Sequence, residues 1–142
     1  MEMTVQRTIG RPADGVFEFF ADAANNPAWQ KGMQSCEWLT EPPIGVGSQY
    51  RQLARFAGRD IISVFEVTEY EPGRRIRIET VESTFPIQVT RTVEPDDDDR
   101  CLVRASITGG PSVPGPLSVL SQRLAQRSID ADYDRLQALL GD

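Results

Sequence analysis

LSVLSQRLAQRSIDADYDRLQALL, from Leu117 to Leu140, contains neither glycine nor proline. It permits one helix of up to about 24 residues, roughly 36 Å long. Gly141 is a natural stop behind it, and the Gly- and Pro-rich run Gly109–Pro116 separates it from what precedes. Its apolar positions include Leu117, Leu120, Leu124, Ile129, Leu136, Leu139 and Leu140. They drift around the helix axis, which predicts a bend or a change of packing partner along the length. Leu124 is expected to face whatever lies beneath, and Arg123 to face solvent.

What lies beneath is read from the preceding segments. Residues 35–39, 49–56, 60–70, 75–81, 87–93 and 101–107 carry strand patterns, and 4–9 supplies a first strand. Arg75–Val81 alternates cleanly, with Ile76, Ile78 and Thr80 on one side. Between Ile9 and Ser35 the pattern is helical. Pro12 opens a short helix with Val16, Phe17, Phe19 and Phe20 on its face, and Ala21–Ala28 reads as a second short helix before Trp29. Glu71-Pro72-Gly73 is a turn, and Glu94–Arg100 reads as a charged hairpin loop. Its four aspartates, Asp96–Asp99, lack the alternating ligands and glycine of a calcium loop and read as a solvated turn. The class is α+β in one domain, residues 1–142: seven strands and a long terminal helix that must bury their apolar faces on each other.

Composition narrows the function. The formal net charge of −6 argues against nucleic acid or an anionic membrane as main partner. No apolar run is long enough for a membrane span, and the start lacks a signal segment, so the expected location is cytoplasmic. Cys36 and Cys101 are expected to be free thiols. The chain has no histidine, which removes the commonest general base and metal ligand together. No metal site and no cofactor motif is found.

The order of elements and its punctuation resemble the START-like, or SRPBCC, superfamily, which includes the birch-pollen-allergen fold and polyketide cyclases. The matching stretches are Ile9–Phe17, Asp22–Trp29, Gly45-Val46-Gly47, Glu66-Val67 with Glu69-Tyr70-Glu71-Pro72, and Leu136–Leu140. The resemblance covers essentially the whole chain. It implies a helix-grip fold, a curved seven-stranded antiparallel sheet wrapped around the C-terminal helix, with two short helices after the first strand. It also implies a cavity between sheet and helix.

Strand parity then predicts the inward face: Tyr50, Gln52, Phe56, Ile61, Ser63, Phe65, Val67, Ile76, Ile78, Val89, Arg91, Val93, Val103, Ala105 and Ile107. Phe20, Trp29, Leu120 and Leu124 join it from the helices. The candidate ligand-binding set is Trp29, Tyr50, Gln52, Ser63, Phe65, Ile78, Val89, Arg91, Val103, Leu120 and Leu124. Mostly apolar walls with a few polar groups suit a small-molecule site, though each aliphatic position also suits plain core packing. Arg91, between Val89 and Val93, needs a partner if buried. That partner is a ligand carboxylate or phenolate, or Glu66 or Glu82, unless a bulge turns Arg91 outward. Trp29 is a lid, a core aromatic or a binding contact. Tyr50 is a hydrogen-bond or proton donor, and a poor base at its usual pKa near 10. The leading expectation is a carrier or sensor of a hydrophobic or aromatic small molecule, lipids included, acting as a monomer or homodimer. A polyketide cyclase- or dehydratase-like enzyme and a co-chaperone-like interaction module remain open beside it. The sequence assigns no catalytic residue.

Overall fold

The computed structural model describes residues 1–56, 58–110 and 115–141, with Phe56 by its backbone alone. The expected side chain of Phe56 and part of the Gly109–Pro116 break therefore lie outside the described residues. The elements are β1 (Glu2–Ile9), α1 (Ala13–Ala21), a 3₁₀ turn (Ala23–Asn25), α2 (Asn26–Trp29), β2 (Met33–Trp38), β3 (Gln49–Phe56), β4 (Arg59–Glu71), β5 (Arg75–Glu82), β6 (Ile87–Asp97), β7 (Arg100–Gly109) and α3 (Leu117–Leu140).

All seven strands form one antiparallel sheet in the order β1-β7-β6-β5-β4-β3-β2. This is the helix-grip architecture that the resemblance implies. Two expectations are corrected. The Glu94–Arg100 loop shrinks to a tight turn, because strand pairing continues through Pro95↔Cys101 to Asp97↔Arg100. Asp97 Oδ1 accepts from the Asp99 amide at 2.8 Å and Arg100 pairs with Asp96, so the aspartates hold the turn locally. The second helix does not run unbroken from Ala21 to Ala28. Asp22 takes an extended backbone that ends α1, and its carboxylate caps the 3₁₀ turn at Ala24 N while also accepting from Trp38 Nε1 at 2.8 Å.

The concave face is shared unequally. Phe17, Phe20 and Val16 of α1 pack with Ile9, Val93, Cys101, Val103, Leu136 and Leu140 into a dry core. α3 is one continuous helix whose buried residues, Asp132, Tyr133, Leu136 and Leu140, all lie in its C-terminal half. The drift of its apolar stripe is therefore a change of packing partner. Its N-terminal half does not lie on the sheet: Leu120 and Leu124 are 54% and 56% exposed, so Leu124 is not buried against the strands as expected.

Along its length α3 is tied to the free edge of β1. Gln122, Gln126 and Gln137 donate from Nε2 to the main-chain carbonyls of Glu2, Thr4 and Thr8 at 2.9, 3.1 and 2.7 Å. Arg7 adds an ion pair to Asp134 and a bond to the Asp130 carbonyl. These bonds satisfy carbonyls that would otherwise stand open on an edge strand. At the far end Gly10 N bonds Gly141 O at 2.9 Å, closing the helix onto the end of β1. Gly109 has a tight requirement: its φ is +101°, and a Cβ there would collide with the Pro86 carbonyl oxygen.

The unequal burial along α3 sets a stability contrast. Leu136→Ala, at a fully buried site, is expected to lower unfolding free energy by about 2–5 kcal/mol. Leu124→Ala is expected to stay within about 1 kcal/mol of the parent. Urea unfolding of the two variants checks this, and similar losses would show that α3 is seated differently.

Candidate functional site

Where α3 stands away from the sheet, a cavity of about 700 Å³ opens between them. Its walls are mainly apolar: Phe65, Ile78, Val89 and Ile107 from the sheet, and Leu120, Leu124, Ala125 and Ile129 from α3. Met1, Met3, Met33 and Phe85 also border it. The half-exposed leucines of α3 stand at its open side.

Of the eleven candidate residues, nine border this space: Tyr50, Gln52, Ser63, Phe65, Ile78, Val89, Arg91, Leu120 and Leu124. Trp29 and Val103 do not. Val103 faces inward as parity requires, but it sits in the dry core. Trp29 is 1% exposed and lies behind the wall, edge-on to Tyr133 with ring centres 5.0 Å apart. Of the other inward-facing positions, Ile61 and Ile107 reach the cavity, while Val67, Ile76, Val93, Ala105 and Phe20 are core.

Arg91 is the only buried arginine among the described residues, at 8% exposure. Neither Glu66 nor Glu82 meets it. Its Nε donates to the Tyr133 hydroxyl at 2.7 Å, and its guanidinium lies 5.2 Å from the centre of the Trp29 ring. A phenol and an indole face thus hold the cation in place. Burial pulls the Arg91 pKa down, but Tyr133, Tyr50 and Asp132 outweigh it and the net direction is up, so the charge is retained. Among the described residues its two terminal nitrogens take no hydrogen bond.

The surrounding charges do not balance. Asp132 also borders the cavity, and its carboxylate accepts from Lys31 N at 3.2 Å and from Arg135. Burial raises the Asp132 pKa despite these partners. Two guanidinium groups, Arg91 and Arg135, therefore face one carboxylate. Tyr50 lies nearby, stacked on Phe65 with ring centres 5.3 Å apart, and burial raises its pKa as well, so it donates rather than serving as a base.

Sequence reasoning missed Tyr133, Asp132, Asn26 and Gln30, which all border the polar end of the cavity. Tyr133 had a signal: Ile129, Tyr133, Leu136 and Leu140 share one helical face at i, i+4, i+7 and i+11. Asn26 and Gln30 stand one turn apart on α2 and its C-cap. Asn26 Oδ1, Trp29 Nε1 and Gln30 Nε2 are buried without a partner among the described residues. All three belong to this single turn.

A more open depression lies on the outer face of the sheet, around Thr90, Thr92, Arg75, Arg104 and Arg7. Each of its arginines is ion-paired, to Glu69, Glu94 and Asp134 respectively, so it presents no unbalanced charge. Among the described residues there is no cluster of metal-ligating side chains, and no helix long and apolar enough to cross a membrane.

A half-open apolar cavity between a gripping sheet and a terminal helix places the chain in the START-like superfamily. More narrowly, residues 1–141 match the family described as polyketide cyclase / dehydrase and lipid transport, and the chain belongs to it. Solved structures agree on the fold. A protein of Thermus thermophilus is 22% identical, with a TM-score of 0.82 over 97% of this chain and 95% of its own. A START superfamily protein of Mycobacterium smegmatis is 17% identical, with a TM-score of 0.81 over 98% and 96%. The Zhui aromatase/cyclase of a Streptomyces species is 16% identical, with a TM-score of 0.80 over 99% and 93%. No curated protein matches the chain.

The cysteines are both unpaired. Burial pushes the Cys36 thiol up from 9.0 to about 11, against the opposing effects of Asn26 and Arg91. At pH 8 that leaves about a hundredfold less thiolate than in an unperturbed cysteine. Native protein should therefore react with iodoacetamide about a hundredfold more slowly than a free thiol, with the rate rising as pH approaches 11. Denatured protein without reductant should yield two thiols per chain. Fast alkylation of Cys36 at pH 8 would contradict its buried setting.

Proposed function

We propose that this protein binds a hydrophobic, ring-bearing small molecule with one acidic oxygen, held in the cavity between the sheet and α3. The observation that carries this reading is Arg91: a buried guanidinium with free N–H groups, fixed by neutral partners in an apolar chamber. A carboxylate or phenolate would supply the hydrogen bonds that the terminal nitrogens lack and would balance the local surplus of positive charge. Phe65, Ile78, Val89 and the α3 leucines would shelter the rings. The volume falls within the roughly 300–1,000 Å³ of small-molecule sites, which favours this reading over an interaction module.

A second reading, a cyclase or dehydratase, draws on Asp132. A cavity-lining carboxyl with a raised pKa is poised for proton exchange, and Arg91 would stabilise an enolate beside it. Asp132→Asn should then abolish turnover of a β-keto thioester while leaving its binding intact.

The binding reading is tested by calorimetric titration of naphthoic acid against its neutral carboxamide. The acid should bind about ten- to a hundredfold more tightly, as a charge-assisted hydrogen bond implies. Arg91→Leu should erase the preference and keep the fold, and Arg91→Lys should restore it in part, because lysine lacks the planar fork. Equal affinities for acid and amide in the parent protein would overturn the assignment of Arg91.

A further inference from the structure

Gln52 is 7% exposed, borders the cavity, and makes no side-chain hydrogen bond among the described residues. It differs in this from the glutamines on the outer face. Gln49 is tied to Glu66, and Gln88 to Arg77 and Glu79. A buried primary amide with both donor and acceptor unused is uncommon in a settled core. It is also not sealed off: the buried, occluded and unpartnered atoms all belong to Asn26, Trp29 and Gln30, so the Gln52 amide keeps surface on the cavity side.

Its position in the sheet sets it apart from the polar groups around Arg91. Tyr50 and Gln52 share one face of β3, two residues apart, or about 7 Å along the strand. Their β4 partners are Phe65 and Ser63 respectively. At the Tyr50 end stand the polar groups around Arg91. At the Gln52 end stands Ser63, whose hydroxyl lies 2.7 Å from that of Ser83. Two hydroxyls that share one bond keep a second proton and spare lone pairs. Phe65, Ile78 and Val89 supply apolar wall beside these two ends.

We infer that the cavity reads two polar groups on one ligand, an acidic oxygen at Arg91 and a neutral hydroxyl or carbonyl at Gln52 and Ser63, separated by an apolar body. This rests on the binding role given to Arg91 above and adds a second, neutral point of recognition. The ligand class is thereby a compact fused-ring acid or phenol oxygenated at both ends, not a fatty acid, whose far end is hydrocarbon. Gln52 acts as a specificity-determining residue. It sets which acids fit best and leaves the attraction for the acid itself to Arg91.

The test uses four probes: naphthoic acid, its neutral carboxamide, its derivative hydroxylated at the far end of the ring system, and its derivative hydroxylated next to the carboxylate. Against the parent protein, the far-end hydroxyl should tighten binding about five-fold over naphthoic acid, as one neutral hydrogen bond implies, and the adjacent hydroxyl should not. Gln52→Leu and Ser63→Ala should each reduce that gain while leaving the preference for acid over amide intact. Arg91→Leu should do the reverse. A circular-dichroism melt of each ligand-free variant establishes that it is folded, and the two independent variants guard against loss of one. If acid is preferred over amide but the far-end hydroxyl adds nothing, or its gain survives Gln52→Leu, the two-point inference fails and the binding reading stands. If none of the four binds the parent protein, both fail.

Discussion

The attachment of α3 to the edge of β1 governs the rest of the structure. Three glutamines spend their amides on main-chain carbonyls of an edge strand, and Arg7 pairs with the same helix. The helix follows that edge from Gln122 to Gln137, and its N-terminal half stands clear of the concavity. Only its C-terminal half reaches the core that α1 shares. The remaining space, about 700 Å³, is the cavity.

Within that space one buried cation organises the polar groups. Arg91 reaches inward because strand parity sends it there, and it stays charged because a phenol, an indole face and a nearby carboxylate offset its burial. Those partners come from α2 and from the buried half of α3. The dry end of the molecule thus builds the support for the charged end of the cavity, and the N-terminal half of α3 forms only its apolar side. Positioning and access are divided between two halves of one helix.

This division explains what is legible in the sequence. Alternation along a strand is a local property, so the inward direction of Gln52, Ser63, Phe65, Ile78, Val89 and Arg91 can be read from residue order alone. Alternation does not tell which stretch of a strand lies beneath α1, which is why Val103 reads as a cavity residue and belongs to the core. Trp29 misleads for a related reason: its size marks it as buried, and only the crossing of α2 behind Arg91 decides which side of the wall it takes. The partner of Arg91 is Tyr133, 42 residues away in sequence. The helical phase of Tyr133 announces a buried position, but nothing local joins it to strand β6. The exposure of Leu124 is hidden too, since an apolar stripe signals a buried face and cannot say whether protein or something else does the burying.

The leucines on the open side of the cavity have one further consequence. A hydrophobic occupant would complete a core that the polypeptide leaves unfinished, so the free energy of binding would add directly to that of folding. Each tenfold excess of occupant over its dissociation constant would contribute about 1.4 kcal/mol of resistance to unfolding. The quantity of intact protein under proteolysis would then track the supply of the small molecule, and the fold would act as its own gauge of saturation.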